Sequence, residues 1–322
     1  MILWKVKPWE HYLRAENEVN VMKYYLPDYY EEFKCIAQKC KHSCCVGWEI
    51  DIDDDTLAYY NSVDGEVGEK LRQSISTDDT PHFILDEKQR CPFLDKDGLC
   101  QLILELGEDA LCGICTDHPR FRNFYLKATE IGLGLCCEAV GELILKRDKP
   151  FKINGLNFED GIFEPEEEYI LSFRQKLIDI MQNRELTIKE RHIMLLDSVG
   201  LEISKPNIDF FLSLERLDDK WTDILQDLKD IKLEEFYDNN TTFDIAYEQL
   251  TCYFLFRHIP SAIWDGNISA KVRLAVVSCQ LISGLMIMHK MKYKKASVDD
   301  LIEYARMYSS EVEYSEENIE AF

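Results

Sequence analysis

A mostly α-helical fold with a small irregular α+β, cysteine-rich subdomain in the N-terminal half is what this sequence predicts. Three observations predict it. Eight of the twelve cysteines fall between Cys35 and Cys115, with Cys136 and Cys137 just beyond. Residues 148–165 hold Pro150, Gly155 and Gly161 and break every hydrophobic period. Beyond them apolar residues recur at helical spacing. The expected division is a cysteine-rich region over 1–147, a linker over 148–165, and a helical region over 166–322 packing against the first.

The elements follow in order. The aromatic-rich start, with Trp4, Trp9, Tyr12, Tyr24, Tyr25, Tyr29 and Tyr30, is expected to pack onto the cysteine region. Ile50 to Asp53 alternates apolar and acidic residues, and Asp53 or Asp54 can N-cap a helix carrying Leu57 and Tyr60. Cys91 to Cys100 reads as a turn between two cysteine-bearing segments, with Asp97-Gly98 as the hairpin signal. Phe121 to Leu135, rich in aromatic and β-branched residues, reads as one or two short strands. Ile170, Phe173, Leu177, Ile180 and Met181 then follow a helical period, as do Phe243, Tyr247, Leu250 and Phe254. Ser269 to Lys290 predicts one long central helix, and Val298 to Tyr308 another.

Composition narrows the setting. Sixty acidic and 37 basic side chains give a formal charge of −23, which repels nucleic acid and anionic membranes and suits a cationic substrate group such as a lysine or a sulfonium. The chain opens without a basic, apolar, small-residue leader pattern. Its longest nearly apolar stretch, Leu274 to Met288, is short for a bilayer and carries Ser278, Gln280 and Ser283. The expectation is a cytoplasmic protein with reduced cysteines, in which a thiol cluster serves metal or catalysis rather than disulfides.

The spacing is Cys35-x4-Cys40-x3-Cys44-Cys45, then Cys91-x8-Cys100, then Cys112-x2-Cys115. Cys112-x2-Cys115 suits a zinc knuckle, and Cys40-x3-Cys44 lies in the same range. The vicinal Cys44-Cys45 suits one tetrahedral ion less well, because adjacent side chains point apart. An iron–sulfur cluster tolerates such irregular spacing, since its ligands attach to different irons. Both metals stay open, with the cluster somewhat ahead. Cys252 and Cys279 sit on apolar helical faces and read as core residues. Cys136 and Cys137 are adjacent, so one of them faces any site, and Cys112 beside Leu111 is also explained by packing. His42 and His118 flank cysteines but read as solvated loop residues. Gly132-x-Gly134 lacks the rest of a dinucleotide fingerprint, and no phosphate loop or nucleophile elbow occurs.

Several segments, taken in order, resemble one family. Phe33-Lys34-Cys35, Cys40, Cys44-Cys45-Val46-Gly47-Trp48 and Ile50-Asp51-Ile52-Asp53 form the first block. Cys91-Pro92-Phe93-Leu94 with Gly98-Leu99-Cys100, and Cys115-Thr116-Asp117-His118-Pro119-Arg120, form the second and third. Tyr253 to His258, Ala262 to Gly266, and Tyr308 to Glu320 complete the pattern. Together they resemble the flagellin lysine N-methylases (FliB-like, cysteine-cluster methyltransferases). The resemblance implies S-adenosylmethionine-dependent methylation of flagellin lysines, with flagellin as partner and a [4Fe-4S] cluster as a further cofactor, zinc being the alternative. It implies metal ligands at Cys35, Cys40, Cys44, Cys45, Cys91, Cys100, Cys115 and Cys137, more than one cluster needs. His118 and Cys136-Cys137-Glu138 depart from the family pattern.

Lysine, with an ordinary pKa of about 10.4, must lose a proton before it attacks a sulfonium methyl, so the site must desolvate it or supply a base. Candidates in the matching blocks are Asp117, Glu311, Glu313, Tyr314 and Glu316 for proton handling, and Trp48 and Arg257 for donor binding. The bland reading of each carboxylate is a solvated charge or a helix cap. The radical signature Cys-x3-Cys-x2-Cys is absent, so radical chemistry is not assigned. Competing readings are a non-enzymatic zinc- or iron–sulfur-binding interaction module, and a redox or metal-storage protein.

Overall fold

The computed structural model describes residues 22–47, 49–78, 80–237 and 241–322. Trp4, Trp9, Tyr12 and Trp48 lie outside the described residues. The chain forms two compact units: a cysteine-rich unit of residues 33–120 with 137–139, and a helical unit of residues up to 32, 121–136 and 140–322. The first described element, strand β1 (Lys23–Pro27), belongs to the helical unit.

The cysteine-rich unit opens with helices α1 (Asp54–Ser62) and α2 (Gly65–Gln73). Asp53, not Asp54, is the N-cap, accepting from the Thr56 backbone N–H at 2.9 Å. Its other oxygen accepts from the Gly113 N–H at 2.9 Å, so one carboxylate ties the starts of two helices together. Strands β2 (Ile75–Ser76) and β3 (His82–Phe83) pair antiparallel. Helices α3 (Gln101–Leu106) and α4 (Gly113–Asp117) complete the unit. These helices run only five to nine residues. Isolated helices of that length are unstable in water, so packing holds them. The packing is a core of Ile50, Ile52, Tyr60, Leu71, Phe83, Phe93 and Leu102, in which Cys91 and Cys112 are also buried. The Asp97-Gly98 turn forms: Gly98 takes φ +78°, Leu94 bridges Cys100, and the Asp95 side chain receives the Asp97 and Leu99 N–H groups at 2.8 Å each.

In the helical unit β4 (Arg120–Phe124) and β5 (Ala128–Leu133) lead to α5 (Glu138–Leu145) and β6 (Ile153–Asn154). The sheet order is β4-β5-β1-β6. β1 runs parallel to β5, with Lys23 opposite Ala128, and antiparallel to β6, with Leu26 opposite Asn154. Two expectations are corrected by this pairing. Tyr25 and Tyr29 are fully buried in the helical unit, where Tyr25 stacks on Phe163 at 5.5 Å, rather than on the cysteine region. Residues 148–165 are no linker: they supply β6 and bury Phe151 and Phe163. β6 finds its partner in antiparallel β1, with Asn154 opposite Leu26 far back in the chain, so the pattern of residues 148–165 looked like a break.

The helices that follow are α6 (Pro165–Met181), α7 (Ile188–Asp197), α8 (Ile208–Ser213), α9 (Asp219–Ile231), α10 (Asp244–His258), α11 (Ala262–Asp265), α12 (Ile268–Tyr293), α13 (Val298–Tyr308) and α14 (Glu316–Glu320). Capping boxes start α6, α7 and α13. α12 is apolar on every side and central, packing on α10, α13 and α7. Its 26 residues are long and apolar enough to cross a membrane, but most of its apolar window is buried against neighbouring helices, as in a core helix. Between α13 and α14, Ser309–Glu313 form a π-helical turn.

One ion pair joins sheet to helices. Glu130 on β5 and Arg174 on α6 are both fully buried and meet through two hydrogen bonds of 2.6 Å, and the Tyr125 hydroxyl donates to Glu130 at 2.7 Å. Removing one partner strands a charge without water. Arg174→Met should therefore lower the unfolding free energy by about 3–5 kcal/mol in urea denaturation, and Glu130→Leu added to it should restore most of the loss.

Candidate functional site

None of the twelve cysteines is in a disulfide. In the cysteine-rich unit Cys91 and Cys112 are buried, and Cys45, Cys100 and Cys115 pack against the same core. Strand-like pairing sets two of these side by side, with the Cys91 N–H donating to the Cys45 carbonyl at 2.8 Å. Cys112 and Cys115 share a thiol hydrogen bond across one turn of α4; it holds Cys112 below its ordinary value and Cys115 far above. The bond from Cys44 lowers Cys45 to about 7, helped by the Ser43 hydroxyl and Arg90. Burial pushes Cys91 up to about 12.

Cys35 and Cys44 are exposed, on a loop whose only regular element is a 3-10 turn over Ala37–Lys39. The Ala37 N–H donates to Cys35 Sγ at 3.4 Å. The Lys41 N–H donates to Glu138 Oε2 at 2.8 Å, fastening this loop to the residue after Cys137. Burial, then the charges of Cys137 and Cys35, push Cys40 up to about 12. Asp117 ends α4, and half-buried His118 is lowered to about 4 by burial, leaving a neutral imidazole where a solvated one was expected. Among the described residues no three His, Cys, Asp or Glu side chains form a ready-made metal site. The donor chemistry suits a thiophilic metal; convergence of all eight expected ligands on one cluster is not what the chain presents.

The C-terminal candidates assemble elsewhere, in the helical unit. Arg257 Nη1 donates to the Tyr253 hydroxyl at 2.7 Å and Nη2 to the Glu313 carbonyl at 3.3 Å. Its guanidinium lies 4.9 Å from the Phe121 ring centre and 4.8 Å from that of Tyr314. The Tyr253 hydroxyl donates to Glu313 Oε2 at 3.1 Å and receives the Leu135 N–H at 3.2 Å. His258, held neutral by burial, meets Glu313 Oε1 at 2.7 Å. Arg257 is thus occupied on several sides, and what it can offer a donor molecule is chiefly charge. Burial, and then the neighbouring Cys136, push the Tyr314 phenol further above its ordinary 10.0, so it acts as a hydrogen-bond donor rather than a base.

Glu311 is buried, and its Oε2 accepts from the Leu217 and Asp218 N–H groups at 2.8 and 3.4 Å, closing the approach to α9. Burial raises its carboxyl. Glu316 is exposed at the start of α14. Glu311 and Tyr314 line a cavity of about 10 Å³ with Glu215, Arg216, Leu217, Ser310 and Ser315, room for no more than one water. An open groove of about 410 Å³ runs along α6 beside Pro165, Tyr169 and Phe173. Sequence reasoning missed Tyr253 and His258 as network members. The signal was the four-residue step from Tyr253 to Arg257, which puts both on one helical face.

The network carries a pH signature. Burial opposes the charged form of Glu313, but Arg257 and His258 override it and hold the carboxyl below its ordinary 4.5. The resulting stability is complete above that value and is lost as pH falls below it. Glu313→Gln should cost about 3 kcal/mol or more at pH 7 and flatten the loss of stability below pH 4.5, read as the difference between variant and parent in urea titrations.

Comparison with known proteins places these residues. Residues 200–322, which hold Tyr253, Arg257, His258, Glu311, Glu313 and Tyr314, match the FliB lysine N-methylase C-terminal domain. Proteins named Lysine-N-methylase from Salmonella typhimurium and Salmonella choleraesuis are each 31% identical over 133 residues, covering 37% of this chain and 31% of theirs. The match thus spans under a third of those relatives. The flagellar biosynthetic protein FliU of Salmonella muenchen is 29% identical over 126 residues, covering 37% of this chain and 75% of its own. No solved structure matches. Over residues 200–322 the chain is therefore similar to the C-terminal domain of the FliB lysine N-methylases.

Proposed function

We propose that this protein methylates lysine side chains of flagellin with S-adenosylmethionine as donor, and that its cysteine-rich unit binds metal, an iron–sulfur cluster ahead of zinc. The match of residues 200–322 to a lysine N-methylase domain carries the reading, and the relatives named Lysine-N-methylase and FliU support a flagellar substrate. The formal charge of −23 favours approach of a lysine-bearing surface. When bound, the cluster would supply a rigid frame for the cysteine-rich unit; Cys35, Cys40, Cys44, Cys45, Cys91, Cys100, Cys115 and Cys137 are the ligands implied by the family resemblance.

The proton step falls to this chain's own carboxylates. Among Asp117, Glu311, Glu313, Tyr314 and Glu316, we assign it to Glu311. Glu313 is committed to Arg257 and His258, and Tyr314 keeps its proton. Burial raises the Glu311 carboxyl, and Glu311 lines a cavity of about 10 Å³, which suits it to accept the lysine proton. For the sulfonium donor, the family resemblance implies Trp48, which lies outside the described residues, and Arg257.

Protein purified without oxygen should be brown and hold about four irons per chain, and should transfer labelled methyl groups to flagellin, with methyl-lysine found by mass spectrometry. Metal-loaded protein that neither binds S-adenosylmethionine by calorimetry nor modifies flagellin would establish the binding-module reading instead. Glu311→Gln keeps an oxygen for the Leu217 N–H and should lower kcat by about 10²–10⁴-fold with unchanged thermal unfolding.

A further inference from the structure

Glu311, to which the proposed function gives the proton step, is shut away from any lysine. Its Oε2 is taken by the Leu217 and Asp218 N–H groups at 2.8 and 3.4 Å. Both donors belong to residues 214–218, a strap without regular structure that joins α8 to α9. Glu215, Arg216 and Leu217 wall one side of the cavity that Glu311 and Tyr314 line on the other. At about 10 Å³ the cavity admits no lysine side chain. The strap is latched by residues just after the π-helical turn. Asn318 Oδ1 accepts the Glu215 N–H at 2.8 Å, Asn318 Nδ2 donates to the Glu215 carbonyl at 2.9 Å, and the Ser315 hydroxyl donates to Glu215 Oε2 at 3.1 Å.

The ends of the strap are fixed and its middle is not. Leu214 is buried, and Asp218 caps α9 by accepting from the Lys220 N–H at 2.9 Å. Between them Glu215 and Arg216 are exposed and Leu217 is 53% exposed, so lifting the middle uncovers little apolar surface. The exchange on lifting is donor for donor. A lysine ammonium offers N–H groups to the carboxyl that Leu217 gives up, and the freed strap groups meet water, so no buried acceptor is left unpaired. Asn318, 2% exposed, also donates to the Glu311 carbonyl at 2.9 Å, a bond in which the strap takes no part. We propose that residues 214–218 are a substrate gate over Glu311. Closed, the Leu217 N–H sits where the lysine amine binds; open, the lysine replaces it while Asn318, a positioning residue, keeps Glu311 in place. The inference rests on the assignment of Glu311 to the proton step and adds how a lysine reaches it.

The test treats the full chain with a water-soluble carbodiimide and excess methylamine, the head group of a lysine, and locates the methylamides by peptide mass spectrometry. Exposed Glu316 should react first, Glu311 more slowly as the strap opens, and buried Glu313 not at all. Glu215→Ala removes the acceptor of the Ser315 hydroxyl and leaves the backbone latch intact. It should speed modification of Glu311 about fivefold. It should also lower KM for flagellin by about the same factor with kcat unchanged, because a larger fraction of the protein is open to substrate. Glu311 that stays unmodified in parent and variant after Glu316 has reacted fully overturns the gate. So does modification of Glu311 and Glu313 at one rate, which marks unfolding rather than a lifted strap. If the labelling order holds but Glu311→Gln methylates at the parent rate, the strap's motion stands, and its role as a substrate gate falls with the proton-step assignment. The two failures are thus told apart.

Discussion

The interaction on which the helical unit most depends is the ion pair of Glu130 and Arg174. Both charges are out of water, and two short bonds between planar groups leave little freedom in either position. β5 and α6 are therefore fixed to each other, and what surrounds them inherits that position. Gly132, two residues along β5, lies against the Phe121 and Phe256 rings so closely that a methyl group at its Cα would sit 2.2 Å from Phe121. The strand then delivers Leu135 to the Tyr253 hydroxyl. A buried charge pair is expensive as stabilisation, but it is selective: a shifted register leaves both charges unmet.

The cysteine-rich unit is built on another economy. Its helices are too short to stand alone, and its apolar core is small and partly made of sulfur. A small core contributes little against chain entropy, so a cross-link would add to the unit's stability. The metal proposed for these thiols would supply one.

Much of this was legible in the residues. Val298–Tyr308 is the helix its period predicts, Asp53 caps α1, and the long apolar run is the central helix α12. What was not legible depends on distant partners. β1 and β6 look like unpatterned ends because their pairing comes from far along the chain, and so the region boundaries drawn from composition miss the sheet. The charged candidates were found, but their roles were not separable: Glu311 and Glu313 differ by two positions, and only the bonds to Leu217 and to Arg257 distinguish a carboxyl that closes a loop from one that holds an ion network. Cys112 beside Leu111 is buried in the apolar core, as packing alone explains.

The π-helical turn over Ser309–Glu313 has a consequence for how related chains vary in length. Such a turn accommodates one more residue than an α-helical turn closes over. Deleting one residue there would let the turn relax to α geometry, but would rotate everything after it by about 100°. Tyr314 would leave Arg257, and Asn318 would lose its bonds to Glu215 and Glu311. Insertions and deletions among related sequences should thus accumulate in the surface connections and stop at this turn, making it a fixed ruler between α13 and the C-terminal helix.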